Sequence, residues 1–197
     1  MSRRAYIVAA GGANYGSLRE ACRRVGVDAE IGDDPVRIAS ATHVILPGVG
    51  AAGHAMRGLR ERGLDRALAQ VSQPLLGICL GMQLLFEHSE EDDADGIGLL
   101  PGTVKRLPAA PSWPHMGWNT LDAISRHPLL DGIGAGDWFY FVHGYAAQAD
   151  GTIVAGTCHG ETFAAVVARD NVHGVQFHPE KSAAAGRRVL DNFFAIA

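Results

Sequence analysis

A cysteine stands between two glycines in the segment GICLGMQ, residues 77–83. An apolar run precedes this segment and a helix is predicted after it, so the G-x-C-x-G pattern predicts a nucleophile elbow with cysteine in place of serine. The turn would strain the backbone of Cys79, and the following helix would favour its thiolate. The amide of Leu80 would then be an oxyanion donor. A buried structural cysteine is the alternative that this motif alone leaves open.

The segment HPE, residues 178–180, could supply the base that a cysteine nucleophile needs. Pro179 excludes a regular strand there, so His178 and Glu180 could project from one loop. The strand predicted before them would end at the same sheet edge as the strand before Cys79, where open α/β proteins place their active sites. We therefore predict a triad of Cys79, His178 and Glu180. The alternative is a His178 that caps a strand beside an exposed Glu180.

A glycine-rich turn, PGVG at residues 47–50, follows a third predicted strand. A backbone N–H of Val49 or Gly50 could be a second oxyanion donor, and the glycines would make its reorientation inexpensive. The loop GGANYGS, residues 11–17, lacks the P-loop lysine and the middle glycine of the dinucleotide fingerprint, so nucleotide binding is not predicted. The histidines and cysteines show no metal-ligand spacing, so we expect no metal and no other cofactor.

These motifs need a sheet that brings strand ends together, and the apolar periodicity predicts one. In the first half, strands at 6–10, 42–46 and 75–79 alternate with helices at 17–25, 53–70 and 81–86, the second helix broken near residue 63. In the second half, strand-like segments at 103–107, 118–121, 138–142, 152–157, 163–169 and 172–177 precede a helix at 183–197. We predict an α/β fold with an open, mostly parallel mixed sheet flanked by helices, in one domain spanning residues 1–197. The acidic run 87–96 (EHSEEDDADG) is interpreted as a solvated loop.

Composition excludes several classes of function. The 197 residues carry a formal net charge of -4, so the chain has no basic footprint for nucleic acid. No apolar run reaches membrane-spanning length. The apolar stretch near the N-terminus is too short for the hydrophobic region of a signal peptide. The cysteines, Cys22, Cys79 and Cys158, are odd in number and far apart, which indicates free thiols in a reducing compartment. We expect a cytoplasmic protein.

Together, PGVG, GICLGMQ and the segment GVQFHPEKS at residues 174–182 resemble the class I glutamine amidotransferases. Within that family, the chain is most similar to the glutaminase subunits of imidazole glycerol phosphate synthase. Three further segments carry this finer resemblance: PHMGWN at 114–119, YFVHGY at 140–145 and GLLPG at 98–102. The resemblance extends from about Tyr6 to the C-terminus.

The resemblance implies that the chain hydrolyses L-glutamine and that a cyclase subunit with a (β/α)8 barrel, its partner in a heterodimer, receives the ammonia through an internal channel. It implies Cys79 as the nucleophile, His178 as the acid and base, and Glu180 as the orienting carboxylate. Glutamine would be held by Gly48, Gln83, His143, Gly144 and Tyr145. The partner would be contacted by Met116, Trp118, Asn119, Tyr140 and Lys181.

Two positions depart from the family pattern. The first loop, usually similar to D-x-G-x-G-N, reads AAGGAN at residues 9–14, so the detail of the partner interface is left open. Gly144 stands where the family usually has a polar side chain, so only a backbone contact to glutamine is expected there.

Three rival functions remain open: the glutaminase subunit of a different synthase, a regulatory subunit without catalysis, and a stand-alone cysteine hydrolase. The intact triad residues disfavour the second, and the short chain disfavours the third.

Overall fold

The computed structural model describes residues 4–109, 112–122, 124–148 and 151–197. The strands are β1 (Ala5–Val8), β2 (Ala29–Gly32), β3 (His43–Gly48), β4 (Leu75–Cys79), β5 (Phe86–Ser89), β6 (Ala94–Asp95), β7 (Leu100–Arg106), β8 (His115–Thr120), β9 (Trp138–His143), β10 (Tyr145–Gln148), β11 (Ile153–His159), β12 (Glu161–Arg169) and β13 (Val172–Val175). The α-helices are α1 (Tyr15–Arg24), α2 (Pro35–Ser40), α3 (Ala52–Glu61), α4 (Leu64–Ala69), α5 (Leu80–Gln83) and α6 (Ala183–Ala195).

The central sheet contains, within the described residues, seven strands in the order β11-β12-β13-β4-β3-β1-β2. The strands from β13 to β2 run parallel, whereas β12 and β11 continue the sheet antiparallel at one edge. Every residue of β1, β3, β4 and β13 is buried, as expected for parallel strands covered by helices on both faces. The predicted fold class is therefore confirmed.

The two faces of the sheet bury two separate apolar cores. Side chains alternate along each strand, so Ile45 of β3 points into one core while Val44 and Leu46 point into the other. Helices α1 and α6 cover the first face, and α2, α3 and α4 cover the second. This arrangement fixes the carboxyl ends of β3, β4 and β13 at one edge of the sheet, where the three sequence motifs meet.

A smaller sheet, in the order β10-β7-β5-β6, and a two-stranded ribbon of β8 and β9 lie beside the central sheet. The ribbon pairs His115 with His143 and Thr120 with Trp138 at its two ends. Strand β8 exposes Met116 and Trp118, whereas His115 is buried. The sequence predicted a strand only from residue 118 in this region, and the stretch before it is more regular than expected.

One predicted helix is divided where the sequence indicated, and another is shorter than predicted. The helix predicted at 53–70 is divided into α3 and α4 by Gly63, which has a left-handed backbone conformation, as the sequence indicated. The helix predicted at 81–86 is one turn, α5, after which the chain enters β5. The short elements β2, α2, β5, β6 and β10 were missed. No helix in the described part of the chain is long and apolar enough to cross a membrane.

Candidate active site

Cys79 occupies the sharp turn between β4 and α5. Its φ of 54° and ψ of -115° place a non-glycine residue in a sparsely populated conformation, as a nucleophile elbow requires. The flanking glycines allow the close approach of neighbouring backbone. A Cβ at Gly77 would lie 2.6 Å from Cα of Met82, and one at Gly81 would overlap the carbonyl of Leu46. The structure therefore accounts for both glycines of the predicted motif.

Two buried glutamines support the Cys79 side chain. Nε2 of Gln176 donates to the sulfur over 3.7 Å, and Oε1 of Gln176 accepts from Nε2 of Gln83 at 3.0 Å. Nε2 of Gln83 also donates to the carbonyl of Tyr145 at 2.8 Å. The thiol is 3.8 Å from the carbonyl of Val142. Sequence reasoning missed Gln176, although a polar residue in the apolar strand GVQF was a usable signal.

His178 and Glu180 form the pair that the HPE motif predicted. Nδ1 of His178 lies 2.8 Å from Oε1 of Glu180, and both side chains are nearly inaccessible to solvent. Nε2 of His178 has no hydrogen-bond partner among the described residues. Because Glu180 engages Nδ1, this second nitrogen is available for proton transfer. The alternative of an exposed Glu180 is wrong.

The backbone of His178 is held by strand β9 and by Ser182. The His178 N–H donates to the carbonyl of Tyr140 at 2.9 Å. Oγ of Ser182 donates to the His178 carbonyl at 2.6 Å and accepts from the Tyr140 N–H at 2.9 Å. Tyr140 and Ser182 therefore fix both sides of the histidine. Sequence reasoning gave Ser182 no role.

The charge balance around His178 favours an imidazolium. Burial by itself lowers the pKa of His178, but the nearby Cys79 and the hydrogen-bonded Glu180 outweigh it and raise the pKa to about 10. A protonated His178 stabilises an anion at either neighbour. An imidazolium beside Cys79 would stabilise the negative charge that a cysteine nucleophile carries when it attacks.

Cys79 and His178 share a cavity of about 300 Å³. Its lining consists of Val49, Gly50, Cys79, Leu80, Gln83, Glu91, Val142, His143, Gly144, Tyr145 and His178. The structure thus brings the predicted nucleophile, base, oxyanion turn and most of the predicted substrate-binding residues to one place. Gly48 lies outside this cavity and lines a smaller neighbouring one of about 30 Å³, together with His178, Glu180 and Lys181.

The acidic run at 87–96 is largely exposed, as its composition indicated, but two of its carboxylates have structural roles. Glu91 is half-buried in the cavity lining, and its Oε2 accepts from the N–H of Ala52 at 2.9 Å. Oδ2 of Asp92 accepts from the N–H of Gly53 at 3.2 Å. Both carboxylates therefore cap the N-terminus of α3, where Ala51 has no side chain able to do so. Burial raises the pKa of Glu91.

His143 lines the cavity and is hydrogen-bonded to a second neutral histidine, His115. Nδ1 of His143 donates to the carbonyl of Tyr145 at 2.7 Å, so its Nε2 is left as an acceptor for Nδ1 of His115 at 3.1 Å. Burial lowers the pKa of His143 to about 3 and that of His115 to about 4. Both rings are therefore uncharged at neutral pH and serve as rigid hydrogen-bonding groups.

Four of the five predicted partner-facing residues have an exposed surface in common. Met116 is 63% exposed and Trp118 is 50% exposed. The ring of Trp118 meets that of Tyr140 at 6.0 Å, and the Lys181 ammonium lies 5.6 Å from the same Tyr140 ring. Asn119 behaves differently, because its Nδ2 donates to the Cys158 carbonyl at 3.0 Å on the other side of β8.

The chain is similar to known proteins over nearly its full length. Residues 11–197 match the family described as glutamine amidotransferase class-I. The imidazole glycerol phosphate synthase subunit HisH of Xanthomonas axonopodis pv. citri (strain 306) is 50% identical over 193 residues, covering 97% of this chain and 96% of the relative. The protein of the same name from Xylella fastidiosa (strain Temecula1) is 50% identical over 192 residues, covering 96% of each chain.

Solved structures show the same fold at much lower identity. A crystal structure of a glutamine amidotransferase superimposes with a TM-score of 0.75 at 19% identity, covering 98% of this chain and 99% of that one. A putative GMP synthase subunit from Thermoplasma acidophilum gives a TM-score of 0.72 at 20% identity, covering 99% of this chain and 94% of that one.

Proposed function

Because this chain belongs to the class I glutamine amidotransferase family, we propose that it is the glutaminase subunit of an imidazole glycerol phosphate synthase in histidine biosynthesis. One observation carries the chemistry: Cys79 at its strained elbow shares a cavity with a His178 that is hydrogen-bonded to Glu180. The finer assignment to this synthase is supported by relatives of that name at 50% identity over nearly the whole chain.

In the proposed mechanism, the Cys79 thiolate attacks the carboxamide carbon of glutamine. The resulting oxyanion accepts hydrogen bonds from the Leu80 N–H and from an N–H of the Val49–Gly50 turn. The His178 imidazolium gives its proton to the amide nitrogen, the C–N bond breaks, ammonia leaves, and a γ-glutamyl thioester remains. His178 then takes a proton from water, whose oxygen attacks the thioester, and glutamate leaves as the thiolate is restored.

The cavity also offers groups that match the two charged ends of free glutamine. The carboxylate of Glu91 faces the same space as Cys79 and would accept hydrogen bonds from the substrate's α-ammonium group. The backbone at Gly144 and Tyr145 would donate to the α-carboxylate, while Gln83 braces the carbonyl side of Tyr145. A peptide-linked glutamine lacks both charges, so we propose free L-glutamine as the substrate.

We further propose that the partner is a cyclase with a (β/α)8 barrel that docks on Met116, Trp118, Tyr140 and Lys181. Two exposed apolar side chains on one strand are good interface anchors. Tyr140 connects this surface to the site, because its backbone holds both sides of His178. Docking at Tyr140 could thereby adjust the position of the base, which would couple glutamine hydrolysis to the presence of the partner.

The test is a glutaminase assay with and without the cognate cyclase and an analogue of the cyclase substrate. We expect the complex to hydrolyse glutamine faster than the free subunit, and Cys79→Ala to abolish the activity in both. Cys158→Ser is the matched control, because Cys158 is exposed and away from the cavity. A Cys79→Ala protein with substantial activity would eliminate the proposed nucleophile, and full activity without any partner would favour the stand-alone hydrolase.

The docking surface has its own test, which is calorimetric titration of Trp118→Ala against the cyclase together with a melting curve. We expect weaker binding with nearly unchanged thermal stability, since Trp118 is half exposed. Unchanged affinity with a large loss of stability would show that Trp118 serves this chain's own packing and that the partner docks elsewhere.

A further inference from the structure

We propose that Trp113 positions the backbone that binds glutamine, acting through Gly144. Trp113 lies between β7 and β8, outside the three motifs, and does not line the cavity that contains Cys79. It touches that cavity from behind, at a residue that does line it. The inference rests on the proposed function, because it assigns Trp113 a role in holding that substrate.

The first observation is the hydrogen bonding of the Gly144 carbonyl. Nε1 of Trp113 donates to this oxygen at 3.0 Å, and the N–H of Leu107 donates to it at 2.9 Å. Because a peptide is planar and trans, its N–H points away from its carbonyl. Two donors on the Gly144 carbonyl therefore fix the direction of the N–H of Tyr145, a residue that lines the cavity.

The second observation is steric. A Cβ built on Gly144 would lie 2.6 Å from Cζ2 of Trp113 and 2.8 Å from Cε2. Carbon atoms do not approach so closely, so the indole occupies the space in which a side chain at residue 144 would begin. Trp113 and Gly144 therefore form one steric unit: the large ring requires the glycine, and the glycine brings its carbonyl within reach of the indole N–H.

The third observation is that the indole is held in place although it is 43% exposed. The Arg106 guanidinium lies 4.5 Å from the centre of the ring, within the range of a cation–π contact. The Tyr145 ring meets the indole edge-on at 6.5 Å. Nε2 of His159 contacts the carbonyl of Ser112, the residue before Trp113, at 2.8 Å. An indole that only covered apolar surface would not need these specific contacts, which hold the ring in one position.

The same geometry explains how Gly144 can replace a polar side chain at the substrate pocket. A side-chain hydroxyl at this position could contact glutamine directly, whereas Gly144 has only its backbone. Trp113 compensates by orienting that backbone from behind. We therefore assign Trp113 as a positioning residue whose loss weakens glutamine binding more than it slows the chemistry, because Cys79 and His178 are untouched.

The experiment measures kcat and KM for glutamine in the complex with the cyclase. Trp113→Phe keeps a ring but removes the indole N–H, and we expect KM to rise about 3- to 10-fold with kcat changed less than about 2-fold, as the loss of one neutral hydrogen bond implies. Gly144→Ser should raise KM by about 10-fold or more, because its Cβ meets the indole. The double variant Trp113→Leu with Gly144→Ser should have a lower KM than Gly144→Ser, near that of Trp113→Phe, because Leu leaves room for the new side chain but has no N–H to donate.

Trp138→Leu is the matched control, an exposed tryptophan at the start of β9 and outside the cavity, for which we expect an unchanged KM in the same complex. The positioning role is overturned if Trp113→Phe and Gly144→Ser leave KM unchanged, or if they lower the melting temperature and kcat but not KM. It is also overturned if the double variant is no better than Gly144→Ser. A separate outcome would contradict the proposed function. It fails if the unmodified complex does not hydrolyse glutamine, or if the Cys79→Ala complex hydrolyses it equally fast.

Discussion

His173 and His178 are two buried histidines only five positions apart in the sequence, yet their pKa values are shifted in opposite directions. His173 lies in β13 and is 2% exposed, and His178 follows the same strand and is 4% exposed. Burial lowers the pKa of His173 to about 4. The pKa of His178 is instead raised to about 10. Burial alone therefore does not decide the protonation state of a histidine in this protein.

The difference lies in the neighbours that each ring meets. Neither ring nitrogen of His173 has a hydrogen-bond partner among the described residues, and its titratable neighbour is His127, which lowers its pKa further. His178 has an acidic group on one side and a thiol on the other, and together they outweigh burial. A catalytic histidine is thus distinguished by its partners, and a buried histidine without them remains neutral.

The largest expected effect contrasts the two positions directly. His178→Asn removes both the acid and the base, so kcat for glutamine in the complex should fall by about 10²- to 10⁴-fold. His173→Phe should leave kcat within about 2-fold, because His173 contacts neither Cys79 nor the cavity. Steady-state kinetics measure kcat for the two variants and for the unmodified protein. Comparable losses in both would mean that the contrast in environment does not separate a catalytic from a structural histidine.

A smaller effect is expected when His178 keeps its ring but loses its charged partner. Glu180→Gln retains a hydrogen-bond acceptor at this position but removes the negative charge, so we expect a loss in kcat of about 10- to 10²-fold and a lower pKa for His178. The ring protons of His178 can be followed by NMR as a function of pH in both proteins. A Glu180→Gln variant that is slower than His178→Asn, or a pKa that does not fall, would show that the roles are wrongly assigned.

The sequence was most informative where a function depends on a local backbone constraint. Gly77 is required by the close approach of Met82 in the helix that follows the turn, so this part of G-x-C-x-G could be interpreted without knowledge of the fold. Gly81 is instead required by the Leu46 carbonyl of the neighbouring strand β3. Pro179 similarly indicated the turn that carries His178. The parallel sheet followed from the alternation of apolar strands and amphipathic helices, and its topology brought both motifs to one edge.

The sequence was least informative where a residue acts through a distant one. Glu91 contacts Ala52, which is 39 positions away, and acidic composition alone suggested a solvated loop. Trp113 acts on Gly144 over 31 positions, and Gln83 reaches Gln176 over 93. Such pairs depend on how β5, β7 and β10 are arranged, and β10 was not predicted. The oxyanion turn and the substrate-binding residues, apart from their shared cavity, stay predictions until they are tested.

The smallest effect concerns the stability that His173 contributes as a neutral group. Its folded-state pKa of about 4 lies below the ordinary value of 6.5, so the unfolded chain takes up a proton that the folded chain excludes. The corresponding stability is complete above pH 6.5 and is lost as the pH falls toward 4, by about 2 kcal/mol at pH 5. In His173→Phe this proton site is absent, so the free energy of unfolding should decrease less between pH 7 and pH 5 than in the unmodified protein. Urea unfolding at pH 7 and pH 5 measures this decrease in each protein. Any packing strain from the larger ring affects both pH values equally and cancels in the difference between them.

His54→Asn, at an exposed position of α3, is the control variant and should retain the full decrease. An equal decrease in His173→Phe and the unmodified protein would show that His173 finds a proton-stabilising partner, and the contrast with His178 would then rest on Glu180 and Cys79 alone.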